Sequence, residues 1–180
     1  MRVISGEWRG RKLIAPKNDA TRPTADRTRE TLFSMLASRL GSFEGLYVAD
    51  LFAGSGALGI EAFSRGAAQC LFGQQDREAT DALRKNLAAL GAAGRADVRA
   101  GSVLALGPAP RSFDLLLLDA PYATGAGSVA LDKLARLGWV DADSWISIET
   151  GEKESVDVAG FAIEAERKVG KAKLTLLRAD

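Results

Sequence analysis

The sequence predicts an α/β protein: a doubly wound, mostly parallel sheet with a C-terminal antiparallel hairpin, preceded by a small N-terminal β-hairpin and helix. Three observations carry the prediction. From Leu46 to Glu149, short apolar runs alternate with segments of helical period, as in repeated β-α units. The run Phe113–Asp119, F-D-L-L-L-L-D, is near-continuously aliphatic, which marks a strand covered on both faces. The end of the chain, F-A-I-E-A-E-R-K-V-G-K-A-K-L-T-L-L-R, has two alternating runs about Gly170, the pattern of a hairpin.

The elements follow in order. In Arg2–Pro16, Val3–Ile4 and Leu13–Ile14 flank a stretch with Gly6 and Gly10, which predicts a short β-hairpin. Lys17–Pro23 reads as a polar loop. Ala25–Leu40 spaces Leu32, Phe33, Met35, Leu36 and Leu40 as a helix, with Thr24 or Asp26 as N-cap and Gly41 as the stop. Leu46–Phe52 is a strand, Ala57–Arg65 a helix closed by Gly66, and Gln69–Gly73 a strand. Arg77–Leu90 is a helix with Leu83, Leu87 and Leu90 on one face. Strands are expected at Asp97–Ala100, Phe113–Asp119 and Ser144–Glu149, with a helix over Ser128–Leu137. Residues 1–40 are read as a basic appendage, 41–180 as the main domain.

Composition excludes several chemistries. The 180 residues include one cysteine, Cys70, and no histidine. Disulfides, thiolate or imidazole zinc sites, and Ser-His or Cys-His mechanisms are therefore out, and Cys70 is expected as a small buried apolar residue. No metal site is expected. A proton acceptor must be a carboxylate, Lys, Tyr, a backbone carbonyl or water. No run reaches the length of a membrane span and M-R-V-I-S-G-E-W-R-G lacks a signal peptide's apolar stretch, so a cytoplasmic, membrane-free protein is expected, read here as a monomer. The net charge is +1, but residues 1–40 hold 9 Lys+Arg against 4 Asp+Glu, leaving 15 against 19 in the rest. A basic segment on an acidic body points to a polyanionic partner met at one end, with an ordinary solvated surface as the alternative.

The loop Asp50–Gly59, D-L-F-A-G-S-G-A-L-G, describes a strand entering a glycine turn and then a helix, the usual seat of a nucleotide-like cofactor. Gly54-x-Gly56-x-x-Gly59 fits the dinucleotide pattern, but no Lys-Ser/Thr follows, which rules out a P-loop. Asp50 discriminates further. An acid at this strand end repels a pyrophosphate and suits the ammonium-bearing end of S-adenosylmethionine. Asp50, Phe52, Ala53, Gly54 and Gly56 are the candidate contacts here. The next strand ends F-G-Q-Q-D-R, where Gln74 can accept a ribose hydroxyl bond with less charge assistance than an acid. Asp76 is either a second ligand contact or the N-cap of the following helix. Ser102 is either a contact to the adenine edge or an ordinary turn serine.

Asp119–Tyr122 reads D-A-P-Y and follows the most apolar strand, where open α/β sheets place their sites. An exocyclic amine on a base is a poor nucleophile, because its lone pair is delocalised into the ring. Hydrogen bonds from it to Asp119 and the Ala120 carbonyl favour a tetrahedral nitrogen. Pro121 stiffens the turn and Tyr122 stacks on the base. An ordinary β-turn is the alternative, and the glycine loop upstream favours the catalytic reading.

Asp50–Ala67 (D-L-F-A-G-S-G-A-L-G-I-E-A-F-S-R-G-A), Arg22–Phe33 (R-P-T-A-D-R-T-R-E-T-L-F) and D-A-P-Y together resemble the bacterial 16S rRNA guanine-N2 methyltransferases of the RsmD type. G-E-W-R-G-R-K-L and K-A-K-L-T-L-L-R extend the resemblance over nearly the whole chain. It implies a Rossmann-like methyltransferase fold and transfer from S-adenosylmethionine to N2 of one guanine in small-subunit rRNA, within a partly assembled ribosomal particle. It also implies that Arg9, Arg11, Lys12, Arg22, Arg27 and Arg29 lie beside RNA, some of them instead bracing the first helix. Two positions depart from the family pattern: Ala120 replaces a proline, and Gln74 a glutamate. Other readings of the same residues are adenine-N6 methylation, a decayed RNA-binding or assembly protein on this fold, and a nucleotide-dependent oxidoreductase, which leaves D-A-P-Y unexplained.

Overall fold

The computed structural model describes residues 1–15 and 23–180, with the side chains of 23–25 excepted. In chain order the elements are α1 (Pro23–Leu40), β1 (Tyr47–Leu51), α2 (Ala57–Ser64), β2 (Gln69–Gln74), α3 (Arg77–Ala89), β3 (Ala96–Ala100), β4 (Leu115–Leu118), α4 (Ala126–Arg136), β5 (Trp145–Gly151), β6 (Phe161–Val169) and β7 (Ala172–Ala179). The strands form one sheet in the order β3-β2-β1-β4-β5-β7-β6. The first five are mutually parallel, and β7 runs antiparallel between β5 and β6. This is the predicted doubly wound sheet with its terminal hairpin. No helix among the described residues is long and apolar enough to cross a membrane.

Alternation along the strands sorts the core into two layers. Val48, Cys70, Phe72, Leu115, Leu117, Leu174 and Leu176 face α1, α2, α3 and the N-terminal arm. Ala49, Leu51, Leu71, Leu116, Leu118, Ile146, Ile148 and Leu177 face α4 and the segments around Trp139 and Val156. Residues Leu115–Leu118 are all buried, which explains their unbroken aliphatic run. The chain moves outward from β1 to β2 and β3, then returns to place β4 on the other side of β1. A crevice opens where those two directions part, at the C-terminal ends of β1 and β4.

The N-terminal hairpin is held by one antiparallel bridge, Arg2 with Lys12, and by the N–H groups of Val3, Gly10 and Leu13 on the carbonyls of Arg11, Val3 and Met1, each at 2.9 Å. Its tip docks on α2, with Glu7 N–H on the Ser64 carbonyl at 2.8 Å and Trp8 N–H on Ser64 Oγ at 2.9 Å. Gly6 lies so close to α2 that a Cβ would sit 1.9 Å from the Ser64 oxygen. The helix α1 begins at Pro23, so neither Thr24 nor Asp26 is its N-cap, and proline is well suited to a first helical position. Gly41 does end it, at φ +76. The polar loop read over Lys17–Pro23 lies outside the described residues except for Pro23. Phe113 stands before β4, its N–H given to the Trp139 carbonyl at 3.0 Å, and Asp119 lies just past the ladder.

Gly59 packs α2 onto β2: a Cβ there would meet Phe72 Cε1 at 2.3 Å and Cys70 Sγ at 2.7 Å. Gly59→Ala is therefore expected to lower stability by about 1–3 kcal/mol through overpacking. Gly107→Ala, with nothing within 4 Å of its Cβ, is expected to stay within about 0.5 kcal/mol. Urea unfolding midpoints of the two variants check this.

Candidate active site

Two adjoining cavities, about 400 and 580 Å³, open at the crevice and share Phe52, Gly54, Asp119 and Tyr122 as walls. The smaller is closed by the N-terminal arm, α1 and the β6–β7 turn, through Met1, Thr28, Arg29, Val169 and Lys171. The larger runs toward Gln74 and Ser102 at the ends of β2 and β3.

The glycine loop divides its labour by geometry. Gly56, at φ +88, packs inward, where a Cβ would sit 2.3 Å from Leu83 Cδ1. Gly54, at φ +57, has nothing within 4 Å of an added Cβ. It alone of the three leaves room for a ligand against bare backbone, and this open cradle fits S-adenosylmethionine. Phe52 holds a left-handed φ of 64, unusual for a side chain of that size, and lines both cavities. The loop is fixed by Ala53 N–H on the Gly73 carbonyl at 2.9 Å and by Asn86 Nδ2 on the Ser55 carbonyl at 3.0 Å. Asn86 also exchanges both its bonds with the Ile14 backbone. Nothing in the sequence pattern distinguished Asn86 from the other polar residues of α3.

Asp50 sits behind this loop, not in the cavity wall. It is 1% exposed, and its Oδ2 accepts the Gly59 N–H at 2.9 Å while Oδ1 has no partner among the described residues. Burial pushes its carboxyl up to about 7, opposed in part by the Gly59 bond. The same burial, with Asp50 nearby, raises the thiol of Cys70, which is buried as expected.

Of the other cofactor candidates, Gln74 lines the larger cavity while its Oε1 accepts the Asp76 N–H at 2.8 Å. Ser102 lines it too; its Oγ accepts the Leu104 N–H at 3.2 Å, leaving the hydroxyl proton for another acceptor. Asp76 is the N-cap of α3, accepting the Ala79 N–H at 2.8 Å, and is absent from the cavity walls. Gln75, not singled out from the sequence, does line the wall.

The tetrapeptide leaves β4 at the junction of the cavities. Asp119 is half-buried, Ala120 buried, and Pro121 and Tyr122 exposed. Thr124 Oγ1 clasps the turn by donating to the Pro121 carbonyl at 2.6 Å, and Ala123 takes φ 62. The Tyr122 hydroxyl donates to Glu149 Oε2 at 2.6 Å. Glu149, at the corresponding end of β5, was missed by the sequence reading; its place beside Asp119 needs the strand register.

Arg9, Arg11, Lys12 and Arg27 are exposed, and Arg11 Nη2 donates to the Ala89 carbonyl at 3.2 Å. Arg29 differs. It is 3% exposed, and its guanidinium donates to the Arg2 carbonyl, bonds Asp26 Oδ1 at 3.0 Å and lies 3.4 Å from Glu61 Oε1. It braces α1 on the core, although it also walls the smaller cavity. Arg22 lies outside the described residues. Glu61, wholly buried, accepts from the backbones of Ile4 and Ser5. Its signal was a lone acid in the apolar run G-I-E-A-F.

Asp50 gives a pH signature. Its folded-state value is raised to about 7, against about 3.9 unfolded. The native state thus keeps a proton that the unfolded chain loses, and stability falls as pH rises from about 4 to about 7. The part due to Asp50 is on the order of 4 kcal/mol. Asp50→Asn is expected to flatten that fall, measured by urea unfolding across the range; an unchanged slope removes the buried carboxyl as its source.

Residues 1–178 match the family model described as conserved hypothetical protein 95. The chain is 35% identical over 173 residues to ribosomal RNA small subunit methyltransferase D of Escherichia coli K12, covering 95% of this chain and 86% of that protein. It is 37% identical over 175 residues to the protein of the same name from Haemophilus influenzae, covering 94% and 89%. A solved putative methyltransferase from Escherichia coli superposes with a TM-score of 0.82 at 34% identity, over 100% of this chain and 98% of the other. The chain belongs to the conserved hypothetical protein 95 family, that of ribosomal RNA small subunit methyltransferase D.

Proposed function

We propose that this protein transfers a methyl group from S-adenosylmethionine to the exocyclic N2 of a guanine in small-subunit rRNA. The observation that carries the reading is the shared wall: Asp119 and Tyr122 of the tetrapeptide border both cavities together with Gly54 of the glycine loop. A base held at the tetrapeptide therefore adjoins whatever the loop holds. The names of the relatives support rRNA as the substrate, and the basic N-terminal residues suit a polyanion.

Gly54, with Phe52 and Ala53, holds the cofactor's amino-acid end, and Asp50 acts on it from behind by fixing the loop through Gly59. Gln74 and Ser102 meet the nucleoside end. When bound, S-adenosylmethionine supplies an electrophilic methyl group on a sulfonium. Asp119 and the Ala120 carbonyl accept the two N–H bonds of the guanine amine and direct its lone pair. Pro121 and the Thr124 clasp fix that carbonyl, and Tyr122 stacks on the ring. As the nitrogen gains its methyl carbon it sheds one proton, and in a chain without histidine Asp119 is the acceptor beside it. Most of the acceleration is alignment and electrostatics. Residues 1–40 contribute the RNA-facing arm through Arg9, Arg11, Lys12, Arg22 and Arg27, within an assembling particle in the cytoplasm, and residues 41–180 the transfer domain of a monomer.

Labelled methyl transfer to small ribosomal subunits lacking the modification, followed by mass spectrometry of the digested RNA, tests this; label confined to one N2-methylguanosine is the expected result. Asp119→Ala is expected to cut transfer at least about 10³-fold while cofactor affinity stays within about tenfold. Wild-type turnover in that variant removes Asp119 from the mechanism. Replacing Arg9, Arg11 and Lys12 by serine is expected to lower the salt slope of particle binding by about 2. An unchanged slope returns them to an ordinary solvated surface.

A further inference from the structure

We infer that Lys171, at the tip of the β6–β7 hairpin, binds a backbone phosphate of the nucleotide whose base enters the smaller cavity. The inference rests on the proposed RNA substrate and adds a contact outside the N-terminal arm.

The hairpin holds this residue in place. β6 and β7 pair Val169 with Ala172, so Gly170 and Lys171 form a two-residue turn. Gly170 stands first in it at φ +59, which a glycine adopts without strain. The Lys171 carbonyl accepts the Glu152 N–H at 2.9 Å, which ties the turn to the segment leaving β5. Val169 and Ala172, both buried, anchor its two sides, and with Lys171 they wall the 400 Å³ cavity. Lys171 itself is exposed, and its ammonium takes part in no hydrogen bond or ion pair among the described residues.

A base carried into a cavity brings the phosphates of its own nucleotide to the rim, and phosphate contacts supply much of a protein's affinity for nucleic acid. Arg29 and Lys171 are the basic side chains among the described residues that wall either cavity. Arg29 is already spent on the Arg2 carbonyl, Asp26 and Glu61. The exposed Arg9, Arg11, Lys12 and Arg27 stand outside both walls, so they meet RNA beyond the target nucleotide. Lys171 is left, a compact charge on a flexible stem, which suits a phosphate oxygen. The cofactor's carboxylate has a separate partner in the N-terminus of α2. Ala57 and Leu58 wall the same cavity, and the N-cap Gly56 gives no side-chain bond to the first N–H groups of that helix.

The test removes one phosphate charge at a time and compares substrates within each enzyme preparation, so the folded fraction cancels. Particles are reconstituted from ligated RNA in which the phosphate on one side or the other of the labelled nucleotide is a neutral methylphosphonate. Wild type is expected to lose about tenfold in kcat/KM at one of the two positions, the worth of one charged contact. Lys171→Ser is expected to bring the two substrates within about threefold, and Lys171→Arg to restore the preference. Lys168→Ser removes the same charge from the opposite face of β6, where Lys168 stands beside Lys173, and is expected to keep it. A full phosphate preference in Lys171→Ser, or none in wild type, overturns the inference. A full preference together with S-adenosylhomocysteine binding weakened more than about tenfold assigns the lysine to the cofactor instead. A wild-type product other than N2-methylguanosine overturns the guanine reading and leaves the phosphate preference legible. Particles that take no label overturn both.

Discussion

The buried carboxylate of Glu61 is the interaction on which the surroundings of the crevice depend. It is 0% exposed and receives the N–H groups of Ile4 and Ser5 at 2.9 and 3.0 Å and Arg65 Nε at 3.0 Å, with Arg29 Nε at 3.4 Å. Taking an ion out of water costs several kcal/mol unless its acceptor positions are filled. The N-terminal arm, α1 and α2 must therefore arrive together, since each supplies a donor that the others cannot replace. Ser64, one turn later, repeats the arrangement: it accepts from Trp8 N–H and donates to the Ser5 carbonyl at 2.6 Å. Arg65 then lies over the Phe33 ring at 4.9 Å, so the polar network is roofed by apolar packing.

This network couples the arm to the cofactor loop. Asn86 holds the backbone of Ile14 and the Ser55 carbonyl at once. The segment proposed to meet RNA and the loop proposed to meet the cofactor thus share one side chain. Met1, Thr28 and Arg29 form a wall of the smaller cavity for the same reason. A buried ion pair adds little net stability over a well-packed apolar substitute. Its contribution here is position: it fixes where a short, strandless arm lies relative to the sheet.

The sheet was legible because its signals are local. The apolar run at Leu115–Leu118 and the alternation about Gly170 depend only on what covers each face, and the structure matches them to within a residue or two at most ends. The glycine loop and the tetrapeptide were legible as motifs, and the cavities bring them together. What the sequence did not show was long-range. The N-terminal hairpin keeps its own cross-strand bonds, but further backbone donors go to Ser64 and Glu61, more than fifty residues away. Arg29 reads as lying beside RNA or bracing the first helix, and only its partner Glu61 shows which of the basic residues does the bracing. Asp50 reads as a ligand contact because an acid at a strand end suits an ammonium; its burial and its bond from the Gly59 N–H at 2.9 Å depend on how α2 packs behind the loop. Glu149 had no motif at all, since its meaning comes from the register of β4 and β5.

The two departures from the family pattern can be weighed by what surrounds them. Replacing proline by Ala120 widens the unfolded ensemble by about 0.4–1 kcal/mol. Against this stand the Thr124 bond to the Pro121 carbonyl at 2.6 Å and the Ala126 N–H on Thr124 Oγ1 at 3.2 Å, at about 1 kcal/mol each. The clasp therefore offsets the lost ring, and it acts on the residue next to the carbonyl that must be held. Gln74 is a different case, because no nearby group restores a charge. Its Oε1 is drawn to the Asp76 N–H at the start of α3, which orients the amide at the rim of the larger cavity. Of the two substitutions, then, the one at the tetrapeptide is absorbed by its neighbours, while Gln74, at the position proposed to meet the cofactor's nucleoside end, is a weaker acceptor than a carboxylate, so under that proposal cofactor affinity rather than turnover is where it is felt.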